Sequence, residues 1–272
     1  MSLIHFLESL EQNKRFSLHC AEQRYIPPIR PRYGKLDLHP NLENVLREQD
    51  VERFWSHQVE AIDLIRQGEN VVVMTPTASG KSLIYNIPVI ESILEDPEAT
   101  ALYIFPLKGL EQDQVKTING LFHAIGISNP LSIKKQRGET IHPAEVYDGD
   151  TTPYRRKKIR EHMPRVIFTN PDMLHLAINP FHQKWEAFFR KLRFIVIDEI
   201  HTYRGVFGSH VAHVLRRLRR ICKHWGCRPQ FIACSATIAN PLNLSEGLVG
   251  LPFREVTESG APRSGKYFLF IN

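Results

Sequence analysis

One stretch in the first third of the chain restricts its fold more than any other. Residues 70–75 (NVVVMT) form a short β-branched run, residues 75–82 (TPTASGKS) a loop of small, hydroxyl and Pro/Gly residues, and residues 83–94 (LIYNIPVIESIL) a helical pattern. A buried strand that feeds a tight loop into a helix N-terminus makes a cradle of backbone N–H groups, the setting in which a triphosphate is held. Gly80 lets the backbone approach the phosphates, Lys81 supplies a cation to the β and γ oxygens, and the Ser82 hydroxyl can coordinate Mg²⁺. Thr77, Ala78 and Ser79 complete the loop that would surround ATP. The general phosphate-loop pattern asks for glycine where this chain has Thr75, so the flanking strand and helix carry the reading.

Four further runs resemble the first strand: residues 101–105 (ALYIF), 165–169 (RVIFT), 193–198 (RFIVID) and 229–235 (PQFIACS). Several are apolar throughout, as strands buried on both faces are, and helical segments lie between them. The expected fold is therefore α/β, a mostly parallel twisted sheet with helices on both faces. Among the helices, residues 56–67 place Val59, Ile62, Leu64 and Ile65 on one side and stop at Gly68. Residues 210–225 turn Val211, Val214, Leu215 and Leu218 inward, with Arg216, Arg217, Arg219, Arg220 and Lys223 mostly outward.

A chain of 272 residues with 42% hydrophobic and 24% charged residues can bury a full core and is not disordered, collagenous or coiled-coil. Its four cysteines, Cys20, Cys222, Cys227 and Cys234, form no framework and no paired metal-ligand spacing, which suits a reducing cytoplasm. No apolar run approaches the roughly 18 to 20 residues of a membrane span, and neither a signal peptide nor an anchor is read. The net charge of +6 favours a polyanionic partner without requiring one. Three prolines in residues 26–32 (IPPIRPR) make that segment extended.

The fourth run ends in Asp198-Glu199-Ile200-His201. Two carboxylates thus emerge at the carboxyl end of a buried strand, where ligands bind in open α/β sheets. An Asp there can hold Mg²⁺, and the neighbouring Glu can orient or deprotonate an attacking water. The fifth run ends in Ser235-Ala236-Thr237, which brings two hydroxyls to the same edge.

TPTASGKS, DEIH and SAT, each at a strand end and in this order, resemble the first motor domain of superfamily 2 DExH-box helicases. The residues 147–151 (YDGDT) and 202–210 (TYRGVFGSH) are similar to the MrfA (YprA) group of DNA-repair helicases and their fungal relatives related to RecQ-four. The resemblance implies a RecA-like P-loop NTPase domain over residues 51–258, preceded by an accessory region at 1–50 and followed at 259–272 by a linker toward a second RecA-like domain. That second domain, which would supply an arginine finger, and a cysteine-rich C-terminal domain are expected partners not found in the sequence.

By the same resemblance, Gln58 in FWSHQ reads adenine, with Phe54 or Tyr33 as stacking candidates. Pro106, Lys108 and Gln112 in the segment called Ia, and Thr169, Asn170 and Pro171 in the segment called Ib, grip the backbone of one strand. Asp198 and Ser82 hold Mg²⁺, Lys81, Glu199 and His201 serve catalysis, and Ser235 and Thr237 couple nucleotide state to strand grip. The implied activity is ATP-driven 3′ to 5′ translocation on single-stranded DNA, or on a duplex with a single-stranded tail, with unwinding in DNA repair and no membrane partner. An RNA-dependent motor, and a nucleic-acid-binding module that turns over no ATP alone, stay as alternatives. Ala78 and Gly109 stand where members of the superfamily often have Gly and Ala respectively.

Several features have two readings. The arginines of residues 216–220 could follow phosphates or form a solvated face, and the run Arg155, Arg156, Lys157, Lys158 and Arg160 could contact nucleic acid or a partner. Cys222 and Cys227 read as core thiols. Tyr203 and Phe207 could stack on a base or pack against the sheet.

Overall fold

A computed structural model describes residues 3–13, 16, 19–106, 108–128 and 141–271, without the side chains of Leu3, Ile4, Glu11, Lys108 and Leu110. The chain divides into two compact units, Tyr33–Ser259 and a smaller one joining Met1–Arg32 to Gly260–Asn272.

In the larger unit β2 (Tyr33–Gly34) and β3 (Phe54–Trp55) form a short antiparallel pair, and seven further strands form one sheet with every pairing parallel and with the first of the seven in chain order lying second from one edge. The seven are β4 (Val71–Met74), β5 (Thr100–Ile104), β6 (Ala144–Val146), β7 (Val166–Thr169), β8 (Leu192–Ile197), β9 (Gln230–Ser235) and β10 (Arg254–Val256). The absence of polar alternation has a direct cause. Val71 and Val73 join one apolar cluster while Val72 joins the other, and Val196 and the pair Ile195, Ile197 divide the same way. Both sheet faces are thus buried, as all-apolar strands require.

Helices α2 (Pro40–Glu48), α3 (Ser56–Arg66), α4 (Lys81–Glu95) and α5 (Lys108–Ile125) cover one face. The other is covered by α6 (Pro153–Glu161), α7 (Gly205–His224), α8 (Pro241–Val249) and the irregular helical turns of residues 171–190. The division expected at residue 50 falls inside this unit. Helix α2 starts on Pro40 with a His39 cap and buries Leu42, Val45 and Leu46 in the core. Each such side chain is worth about 1.5–3 kcal/mol when fully buried, enough to hold a short amphipathic helix on the sheet.

Helix α7 also begins earlier than its apolar periodicity suggests. Gly208 permits this, since a Cβ there would lie 2.4 Å from the Tyr203 carbonyl oxygen. Cys222 and Cys227 are buried free thiols, and no cluster of three or more metal-ligating side chains occurs among the described residues. No described helix is long and apolar enough to cross a membrane.

In the smaller unit, β1 (Cys20–Ile26) pairs antiparallel with β11 (Lys266–Ile271), and Ile29 bridges Arg263. Residues 259–272, expected as a linker, thus contribute a strand through residue 271.

Candidate nucleotide site

Strands β4, β9 and β8 are neighbours, with Met74 beside Ser235 and Ile197 beside Ala233. Because the strands are parallel, the loops that follow them open on one edge of the sheet. TPTASGKS, SAT and DEIH, far apart in sequence, therefore line up side by side.

The phosphate loop closes on itself in a polar network. The Thr75 and Ser79 hydroxyls lie 2.6 Å apart, and the Lys81 amine donates to the Thr75 and Pro76 carbonyls at 2.9 and 3.0 Å. Gly80 caps α4 in the left-handed conformation at φ +69°, and a Cβ there would meet the Gln58 amide nitrogen at 2.5 Å. Ala78 holds φ +61°, a region that favours glycine. The glycine that the sequence resemblance leads one to expect here thus has a backbone reason.

Helix α3 supports the loop from below. Gln58 accepts from the Trp55 N–H at 2.9 Å and donates to the Gly80 carbonyl at 3.0 Å. Its amide, expected at an adenine edge, is engaged by backbone in this structure. His57 is buried with Nε2 2.9 Å from the Ser79 carbonyl, and burial lowers its pKa. Neither contact was visible in sequence, because both partners lie 22 residues away.

Asp198 accepts from the Glu199 N–H at 2.8 Å and, at 3.5 Å, from the buried Tyr85 hydroxyl. Burial pushes its carboxyl up to about 6, with the neighbouring Glu199 carboxylate adding, against the hydrogen bonds and Lys81. The same Tyr85 hydroxyl lies 3.2 Å from the Gln114 side-chain oxygen of α5 and shares its one proton between the two acceptors, so a tyrosine unnoticed in sequence joins the Asp198 carboxylate to the helix that carries most of segment Ia. Glu199 occupies the left-handed region at φ +51°. Its carboxylate lies 3.1 Å from His201 Nδ1, which is also 3.3 Å from the Ala236 N–H. His201 therefore touches both the acidic segment and the SAT segment. The Ser235 hydroxyl is buried with no hydrogen-bond partner among the described residues, and Thr237 is exposed.

The donor set suits Mg²⁺. Asp198 and Ser82 offer hard oxygen atoms of the kind Mg²⁺ takes. A carboxyl whose buried charge is disfavoured gains most from an incoming cation.

The residues of segments Ia and Ib are placed unequally. Pro106 is half-buried and Gln112 exposed, while the Lys108 side chain lies outside the described residues. Thr169 is fully buried and donates to the Tyr147 carbonyl at 2.8 Å, Asn170 caps the turn Pro171–Met173, and Pro171 is buried. They build a corner, leaving Asn170 the more accessible of the three.

The basic runs resolve by partner. Arg219 donates to the Val249 and Gly250 carbonyls at 2.8 and 2.9 Å, satisfying the end of α8. Arg217 reaches His175, and Arg220 is exposed. Arg155 pairs with Glu145 at 2.7 Å, and Lys158 with Glu161 at 3.1 Å. Tyr203 is buried, whereas Phe207 is 48% exposed.

Residues 55–244 match the DEAD/DEAH box helicase family model. The chain is 46% identical over 249 residues to the uncharacterized ATP-dependent helicase YprA of Bacillus subtilis, covering 90% of this chain and 31% of that protein. It is 42% identical over 274 residues to the ATP-dependent helicase HRQ1 of Saccharomyces cerevisiae, covering 98% and 24%. Crystal structures of the DUF1998 helicase MrfA bound to DNA, and to DNA and AMPPNP, superpose with a TM-score of 0.88 at 42% identity, covering 99% of this chain and 36% of theirs. The seven-stranded sheet is thus the RecA-like helicase fold. The chain spans about a quarter to a third of the length of these curated relatives.

Proposed function

The chain belongs to the DEAD/DEAH box helicase family, and from that membership we propose that it supplies the ATP-binding, strand-contacting half of a DNA motor. The observation that carries this is the convergence of the loops after β4, β9 and β8 on one sheet edge. MrfA, similar over nearly the whole chain, has been solved with DNA and AMPPNP, which supports both ligand classes.

In this reading Lys81 leaves the Thr75 and Pro76 carbonyls to hold the β and γ phosphates, while the loop from Thr77 to Gly80 surrounds them. Ser82 and Asp198 would hold Mg²⁺, which when bound neutralises phosphate charge. Glu199 orients and deprotonates the attacking water, and His201 relays the state of that carboxylate to the segment from Ser235 to Thr237. Gln58 exchanges its backbone partners for the adenine edge. Pro106, Lys108, Gln112 and Asn170 line the strand path, with Thr169 and Pro171 shaping it. The transition-state arginine would be supplied by a second RecA-like domain, as the family resemblance implies. The names of the relatives and the DNA-bound MrfA structure support an ATP-dependent DNA helicase, the 3′ to 5′ polarity and the role in repair are what the family resemblance implies, and the four free thiols fit a cytoplasmic setting.

The steady-state ATPase rate, alone and with single-stranded DNA or RNA, tests this reading. Low turnover that rises on addition of the second domain and DNA, and falls in Lys81→Ala and Glu199→Gln, is expected. Stimulation by RNA alone would redirect the assignment, and turnover indifferent to both substitutions would end it.

A further inference from the structure

Beside the corner at Thr169 lies a cavity of about 320 Å³ that the nucleotide site does not use. Its wall includes Tyr147, Arg156, Arg160, Phe181, Lys184 and Trp185, and no carboxylate of the described residues lines it. Arg160 donates to the Tyr147 hydroxyl at 2.8 Å, which leaves that hydroxyl's own proton to be given away. Arg156 spends one nitrogen on the Asp148 and Gly149 carbonyls, but its buried Nε has no hydrogen-bond partner among the described residues. Trp185 is 1% exposed, and its indole N–H is likewise unpartnered among the described residues. Such an orphan donor costs about 1–3 kcal/mol unless something accepts from it. Phe181, half-exposed at the rim, carries the Lys184 ammonium 5.2 Å above its ring centroid.

The cavity therefore offers donors, cations and aromatic faces. The ligand it selects is anionic, rich in acceptors and flat. The Thr169 hydroxyl is bonded to the Tyr147 carbonyl, so the cavity adjoins the segment assigned above to the tracked strand. We propose that it is a subsite for one unstacked nucleotide of single-stranded nucleic acid, with the base on Phe181 and the phosphate among Arg156, Arg160 and Lys184. This rests on the strand-contacting reading and adds to it a position where a base is taken out of the stack.

The test uses this chain with a labelled single-stranded DNA oligonucleotide and with a strand of the same length whose sugars carry no bases. Phe181→Ala and Lys184→Gln change exposed side chains and spare the core. Phe181→Ala is expected to weaken the intact strand about tenfold and leave the abasic strand unchanged. Lys184→Gln is expected to weaken both and to lower the salt slope by about 0.7. Equal losses on both strands in Phe181→Ala, or no loss in either variant while the unaltered chain binds, would overturn the subsite alone. Failure of the unaltered chain to bind any single strand would overturn the strand-contacting reading and the subsite with it.

Discussion

Gln58 donates to the Gly80 carbonyl across 3.0 Å, which ties the start of α3 to the left-handed residue that opens α4. The same amide oxygen receives the Trp55 N–H. Gln58→Ala removes both bonds together and leaves a partly buried carbonyl unpaired. A loss of about 1–3 kcal/mol in unfolding free energy is expected, with weaker nucleotide binding, measured by denaturant melts and ATP-analogue titration. Unchanged stability would show that the tether is idle.

Ala78 sits at φ +61°, where an L side chain is strained by roughly 1–2 kcal/mol and glycine is not. Ala78→Gly is expected to be neutral or to stabilise by up to about 1 kcal/mol, the gain being offset by the freer unfolded chain. Ala78→Val is expected to destabilise by about 2 kcal/mol or more. Thermal denaturation distinguishes them, and the reverse order would contradict the loop geometry.

Tyr85 lies between Gln114 on α5 and Asp198 at the end of β8, its one hydroxyl proton shared between them. Tyr85→Phe keeps the ring's edge contact with Tyr103 and removes the hydroxyl. Mg²⁺-dependent nucleotide affinity should fall about threefold to tenfold, with a smaller change when Mg²⁺ is absent. An equal change with and without Mg²⁺ would locate the effect in packing instead of at Asp198.

Burial lowers the His57 pKa below the ordinary imidazole value, the Ser79 carbonyl opposing the shift and Lys81 adding to it. The unfolded chain therefore takes up this proton at higher pH than the folded one. The stability His57 contributes is present above about pH 6.5 and is lost as pH falls through the folded value. Between about pH 7 and 5, the unaltered chain should lose more stability than His57→Gln. Parallel pH curves for the two chains would refute the assignment.

The sheet was legible because its strands are apolar on both sides, as Val71, Val72 and Val73 show by dividing between two clusters. The phosphate loop and the acidic pair were legible because strand, loop and helix are contiguous there. Long-range contacts were not. Nothing in the periodicity of α3 points to Gly80 or Ser79, and a buried Thr169 is indistinguishable in sequence from one that faces a ligand. Strands β6 and β10 have three residues each, too short for a pattern, and β1 with β11 joins opposite ends of the chain. The early start of α7 was hidden by glycines, one of which is the condition for its packing.

Equilibrium titration of this chain with a fluorescent ATP analogue, with and without Mg²⁺, beside Lys81→Ala, addresses the nucleotide site itself. Saturable, Mg²⁺-dependent binding that weakens about tenfold or more in Lys81→Ala is the expected result. Equal binding by the two chains, or binding indifferent to Mg²⁺, would contradict the assignment of the TPTASGKS loop and Asp198 as the ATP site.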